Sequence, residues 1–218
     1  MNSNYRMIVF DWDGTIMDSA AAIVESIQAA CRDLKLPVPP DARARHVIGL
    51  GLSDALRHAV PELLEHRYEE MVDRYRHHYL SRDHDLLLFS GIPELLNKLA
   101  DRGFLLAVAT GKSSLGLNRA LKVSNLDKFF HATRCADQCQ SKPHPQMLLE
   151  LMEEFGLSNE DLLMIGDTTH DLNMAANAKV DAVGVTYGAH DRQTLLNCTP
   201  QFLANSVDEL SNWLGQGR

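Results

Sequence analysis

The chain has 218 residues, which suits one large domain carrying an inserted smaller one. Its 21 basic and 29 acidic residues give a formal net charge of −8 without any basic run, which argues against nucleic acid as a partner. No apolar stretch approaches the ~20 residues needed to span a bilayer, the polar start over 1–6 lacks a signal-peptide profile, and Cys31, Cys135, Cys139 and Cys198 are too scattered for a disulfide framework, so a cytoplasmic protein with free thiols is expected.

The first element is the apolar run Met7-Ile8-Val9-Phe10, read as a buried strand. A period of three to four then sets in: Ile23, Ile27, Ala30 and Leu34 share a helical face, and Pro37, Pro39 and Pro40 stop that helix. A second helix is expected from an N-cap at Ser53 through Ala59, and a third over 61–79 with Pro61 in its first turn. The stretch 16–84 thus reads as all helix. Beyond 86–89, strands and helices alternate: a helix opened by Pro93 and ended near Gly103, a strand over 104–109 and a helix over 114–122. A helix over 144–155 stopped by Gly156, a strand over 162–165, a helix over 170–178 and a strand over 182–185 follow. The capping-box pattern at 206–209 opens a last helix ending near Trp213. The expected fold is α/β: a Rossmann-like parallel sheet built from 1–15 and 85–218, with an all-α module over 16–84 inserted after the first strand.

Acidic groups finish two of these strands. Asp11 and Asp13 follow the first, on the same side of an extended chain, with Trp12 pointing away. Two carboxylates in one pocket repel one another unless a divalent cation or a division of labour between nucleophile and acid accounts for both. An acidic turn is the plainer reading of this pentapeptide alone. Asp167 ends the later strand and Asp171 follows one helical turn on, where helix capping is the plainer alternative. Thr110 ends the strand between, with Gly111 allowing backbone N–H groups to approach an anion. Lys142 stands before a helix, where phosphate binding is favourable and a solvated lysine is the commoner occupant.

In this order, Asp11-Trp12-Asp13-Gly14-Thr15, Thr110, Lys142 and Gly166-Asp167 with Asp171 resemble the four motifs of the haloacid dehalogenase-like hydrolases, phosphoglycolate phosphatase-like members above all. The resemblance spans nearly the whole chain, and the inserted helices resemble that superfamily's α-helical cap. It implies a phosphoric monoester hydrolase that uses Mg²⁺ and a small-molecule phosphate ester, working as monomer or homodimer without nucleic acid or membrane. By position, Asp11 would be the nucleophile that becomes aspartyl-phosphate and Asp13 the general acid and base. Thr110, Gly111 and Lys142 would hold the phosphoryl group. Asp11, the main-chain carbonyl of Asp13 and Asp167 would bind Mg²⁺, with Asp171 supporting them and orienting Lys142.

Asp13 favours phosphate esters over haloacids, and Thr15 and Gly166 favour hydrolysis over a mutase. Thr110-Gly111-Lys112 departs from the Thr-Asn common in phosphoglycolate phosphatases, which leaves a sugar phosphate or nucleotide open as substrate. A receiver-like signalling domain and an inactive phosphate-binding regulator are the non-enzymatic alternatives. Substrate choice is expected in the inserted helices, at the glycine-bearing loop 45–52, with Arg45, Gly49 and Arg57 as reading residues. Of the other polar or aromatic residues, Trp12 and Trp213 read as packing, His77 and His78 as solvated, and His170 as a helix-surface residue or a neighbour of the site.

Overall fold

The computed structural model describes residues 5–82 and 86–215. In chain order the elements are β1 (Met7–Phe10), α1 (Ala20–Asp33), α2 (Asp41–His46), α3 (Leu52–Ala59), α4 (Tyr68–Leu80), α5 (Ile92–Asp101), β2 (Leu105–Thr110), α6 (Ser114–Ser124) and β3 (Ala132–Cys135). They continue with α7 (Gln146–Phe155), β4 (Leu162–Gly166), α8 (Thr169–Ala178), β5 (Asp181–Val185), α9 (Arg192–Leu196), β6 (Phe202–Ala204) and α10 (Val207–Gly215).

Every residue of β1 is apolar and buried, as a central strand covered on both faces requires. The sheet runs β3-β2-β1-β4-β5-β6 with each neighbouring pair parallel, so the α/β, Rossmann-like expectation is what the structure shows. Strand order reverses between β1 and β4, the crevice where open α/β sheets take ligands. The period of two divides the core. Ile8, Phe10, Val108 and Ile165 pack under α5, α6 and α10. Met7, Val9, Ala107 and Met164 pack under α7, α8 and α9.

Helices α1–α4 close around a third cluster of their own, in which Ile23, Ile27 and Leu34 of α1 meet Leu56 of α3 and Met71 of α4. The face of α1 legible from its period is the face it buries. The helix expected over 61–79 begins later, at Tyr68: Pro61 stands in a turn, a short 3₁₀ turn covers Glu65–Arg67, and the Arg67 guanidinium reaches back to the Leu34 carbonyl. α3 starts after Gly51 rather than after a Ser53 cap. The helix expected from His144 starts at Gln146, and α2, β3, α9 and β6 had no expectation. The junction expected at 84/85 and the start 1–4 lie outside the described residues. Among the described residues no helix is long and apolar enough to cross a membrane, and all four cysteines are free.

Candidate active site at the carboxyl edge of the sheet

The parallel register puts the residues after β1, β2 and β4 at one edge. Phe10 lies beside Ile165 on one side and Val108 on the other, so Asp11 emerges next to the end of β4 and near Thr110. Main-chain pairing continues one step further, from Asp11 N–H to the Ile165 carbonyl at 2.9 Å. Trp12 turns into the core, edge-on to Phe130 at 6.4 Å.

Lys142, supplied by the loop before α7, is buried between two carboxylates. Its Nζ donates to Asp11 Oδ1 at 2.7 Å and to Asp171 Oδ1 at 2.6 Å. Asp171 is fixed in turn as the third residue of a capping box. Its Oδ2 accepts from Thr168 N–H at 3.1 Å and from the Thr168 hydroxyl at 2.7 Å, so helix capping and lysine orientation fall to one side chain. Asp167 Oδ1 accepts from the Thr15 hydroxyl at 2.9 Å and its Oδ2 from Ala189 N–H at 2.7 Å. Asp13 faces the other way: its Oδ1 accepts from the Ser19 hydroxyl at 2.6 Å and pairs with Lys112 Nζ at 3.1 Å. Lys112 also donates to the Tyr79 hydroxyl of α4 at 2.8 Å.

The electrostatics follow from burial. Desolvation pushes the Asp11 carboxyl up to about 7, against the Lys142 ammonium that holds it down, and Asp171 adds to the rise. Asp167 is raised as well, by burial first and then by its acidic neighbours. Burial opposes the charge on Lys142, but Asp11 and Asp171 outweigh it and its pKa is raised. Two of three clustered buried carboxylates thus share one ammonium, and the third, Asp167, has only neutral donors among the described residues. Asp11, Asp167 and Asp171 each offer an oxygen within 4.8 Å of the others, and Asp11 Oδ2 is buried with no hydrogen-bond partner among the described residues. An all-oxygen, electron-rich set of this kind suits a hard divalent cation, which would give the orphaned oxygen a partner.

A family model for haloacid dehalogenase-like hydrolases matches residues 8–185. The chain belongs to that family. Among its relatives, the chain is 34% identical to a probable phosphatase, IndB, of Dickeya dadantii over 94% of its own length and 91% of the relative's. It is 34% identical to a 5'-nucleotidase of Pseudomonas aeruginosa over 84% of each. The crystal structure of a predicted phosphoglycolate phosphatase from Haemophilus somnus superposes with a TM-score of 0.86 over 99% of both chains at 25% identity.

In this haloacid dehalogenase-like hydrolase, Asp11, Asp13, Thr110, Gly111, Lys142, Asp167 and Asp171 all come to the one edge, while Arg45 and Arg57 do not line the cavity that opens there. Arg57 is exposed, paired with Glu65 at 2.9 Å and stacked on Tyr68. Arg45 is in the last turn of α2, and neither arginine lines the cavity that opens from Asp13. The loop between α2 and α3 does reach the core. Gly51 N–H donates to Ser141 Oγ at 2.9 Å, and Gly49, at φ +92°, sits over Thr168. A Cβ on Gly111 would collide with the Leu50 and Gly49 carbonyls, so the departure from Asn at this position is what lets the loop settle against β2.

Four contacts had no signal in the sequence: Thr15 to Asp167, Ser19 to Asp13, Lys112 bridging Asp13 to Tyr79, and a histidine cluster. In that cluster the His46 carbonyl accepts from His170 Nε2 at 2.7 Å and His190 Nε2 at 3.2 Å, with the His46 and His190 rings stacked 5.0 Å apart. His190 Nδ1 accepts from Thr169 N–H at 3.1 Å, which fixes the neutral tautomer. Burial, then the neighbouring His170, lowers His190 to about 4. His170 thus bridges α8 to α2 rather than lying on an open helix surface.

Proposed function

We propose that this hydrolase is a phosphatase that cleaves a small phosphate monoester through an aspartyl-phosphate on Asp11, with Mg²⁺ as cofactor and no nucleic-acid or membrane partner. The observation that carries the reading is Asp11 Oδ2, a buried carboxylate oxygen without a partner beside a fixed ammonium. It attacks phosphorus in line with the ester oxygen, and the P–O ester bond breaks. Asp13 gives its proton to the departing alkoxide, then takes one from the water that attacks the acyl phosphate, so the Asp11–phosphorus bond breaks and inorganic phosphate leaves. Lys142, the Thr110 hydroxyl and the main chain at Gly111 hold the phosphoryl oxygens as charge spreads over them. Asp11, Asp167 and the Asp13 carbonyl would hold the cation, with Asp171 beside them and on Lys142; when bound, Mg²⁺ would offset the repulsion between carboxylate and phosphate. The module over 16–84 acts as a cap that reads the alcohol through the loop at Gly49, with Arg45 and Arg57 flanking that loop in the chain. Relatives bearing the names phosphatase and 5'-nucleotidase support a phosphate monoester as the substrate class.

The test is phosphate release from p-nitrophenyl phosphate. Multiple turnovers in Mg²⁺, silence in EDTA and a loss on the order of 10⁴-fold or more in Asp11→Asn are expected, since removal of a covalent nucleophile costs at least that much. Turnover indifferent to chelation, or retained in Asp11→Asn, overturns the mechanism.

A further inference from the structure

A cavity of about 680 Å³ opens between the inserted helices and the sheet edge, and Asp13, Gly111 and Lys112 form its inner end. An alcohol leaving from a phosphoryl group beside Asp13 departs into this space. Its size admits an alcohol well beyond a two-carbon acid. A two-carbon acid such as glycolate has about five heavy atoms and fills on the order of 100 Å³ at roughly a water's share of volume per atom. A nucleoside, with about 20 heavy atoms, fills several times that, and cavities that hold ring-bearing organic ligands run to roughly 300–1,000 Å³.

The walls agree with the size. Ile23 and Ile27 of α1, Tyr68, Val72 and Tyr75 of α4 and Leu115 of α6 line the cavity. Leu115 is 79% exposed, so the core side presents an apolar side chain at the cavity that a ligand would cover. Tyr75 and Tyr79 stack with ring centres 5.9 Å apart, with Lys112 Nζ over the Tyr79 ring, so the α4 wall of the cavity is aromatic, a surface that suits a planar ring. The charged groups at the cavity are mixed in sign: Arg76 and Arg119 stand with Asp54 and Asp137 among its lining residues, and Lys112 pairs with Asp13 and Tyr79.

We propose that the leaving alcohol carries a planar ring and is of about nucleoside size, the ring lying between the tyrosine side of α4 and Leu115, with a nucleoside 5'-monophosphate as the model substrate. The inference rests on the phosphatase reading and narrows its substrate class. The experiment compares kcat/KM for uridine and adenosine 5'-monophosphates with ribose 5-phosphate, which loses the same kind of primary alkoxide and lacks only the ring, and with phosphoglycolate. Both nucleotides are expected to exceed ribose 5-phosphate and phosphoglycolate by about tenfold or more, chiefly through KM. Val72→Trp, which fills the cavity from α4, and Leu115→Ser, an exposed substitution that leaves the core intact, each lower that ratio towards one, with folding checked by circular dichroism. Equal kcat/KM for nucleotides and ribose 5-phosphate, or equal losses on both in Leu115→Ser, overturns the ring chamber while phosphatase action stands. Phosphate release from none of the esters in Mg²⁺ overturns the phosphatase reading and the chamber with it.

Discussion

Lys142 shows how much one side chain can hold together. It is 2% exposed and is the ammonium against which Asp11 and Asp171 are buried, so removing it leaves two carboxylates without the charge that offsets their desolvation. Lys142→Met keeps most of the volume. It is expected to cost about 3–5 kcal/mol at neutral pH, the range for breaking a buried ion pair from one side, and less in acid, where the orphaned acids take up protons. Urea denaturation at the two pH values measures both; a pH-independent loss would make the effect one of packing. The strand-terminal acids were legible because each follows an apolar strand, and Lys142 because it stands in the loop just before a helix. Lys112 was not, because its partners Asp13 and Tyr79 come to it from β1's end and from α4, and no spacing in the chain records that meeting.

Among the elements, those with a strong period were legible and the edges of the sheet were not. α1 buries the face its repeat marks, and β1, β2 and β4 are the apolar runs of the sequence. β3 is half-buried Ala-Thr-Arg-Cys and β6 has three residues, so each is a strand only because a neighbour offers it a ladder. The contact between inserted helices and core is equally tertiary, and it rests on small residues. Gly111→Ala puts a Cβ into the Leu50 carbonyl, and Gly49→Val adds strain at φ +92° and a Cβ 3.1 Å from Thr168 Oγ1. Both substitutions lift the α2–α3 loop from the sheet edge. KM is expected to rise by roughly tenfold while the Mg²⁺ requirement stays unchanged, because the acids that hold the cation lie below the loop. Steady-state kinetics across Mg²⁺ concentrations separate the two; a matching shift in the metal requirement would mean that the loop shapes the acid cluster itself.

Over the whole molecule, the acid cluster and the histidine contact drive stability in opposite directions with pH. Burial lifts Asp11 from 3.8 to about 7 and raises Asp167, so across that window the folded chain keeps protons that the unfolded chain releases. The contribution of these acids to stability therefore falls as pH rises, by about 1.4 kcal/mol for each unit of difference. His190 acts in the other sense. Its value is lowered from 6.5 to about 4, so the unfolded chain binds the proton first and stability is lost as pH falls through that interval. Without a cation the two trends oppose one another over nearly the same range. A divalent cation on Asp11 and Asp167 holds both ionised, removes the first trend and leaves the second. Protons and metal compete for the same oxygens, so Mg²⁺ is expected to raise Tm by a few degrees near about pH 7.5 and hardly at all near about pH 5. In Mg²⁺ the stability then climbs with pH between those values, and in EDTA it stays flatter. Thermal melts in the four conditions decide the matter: a Mg²⁺ shift of equal size at both pH values, or no shift at either, would remove the cation from this acid cluster and with it the metal-assisted half of the mechanism.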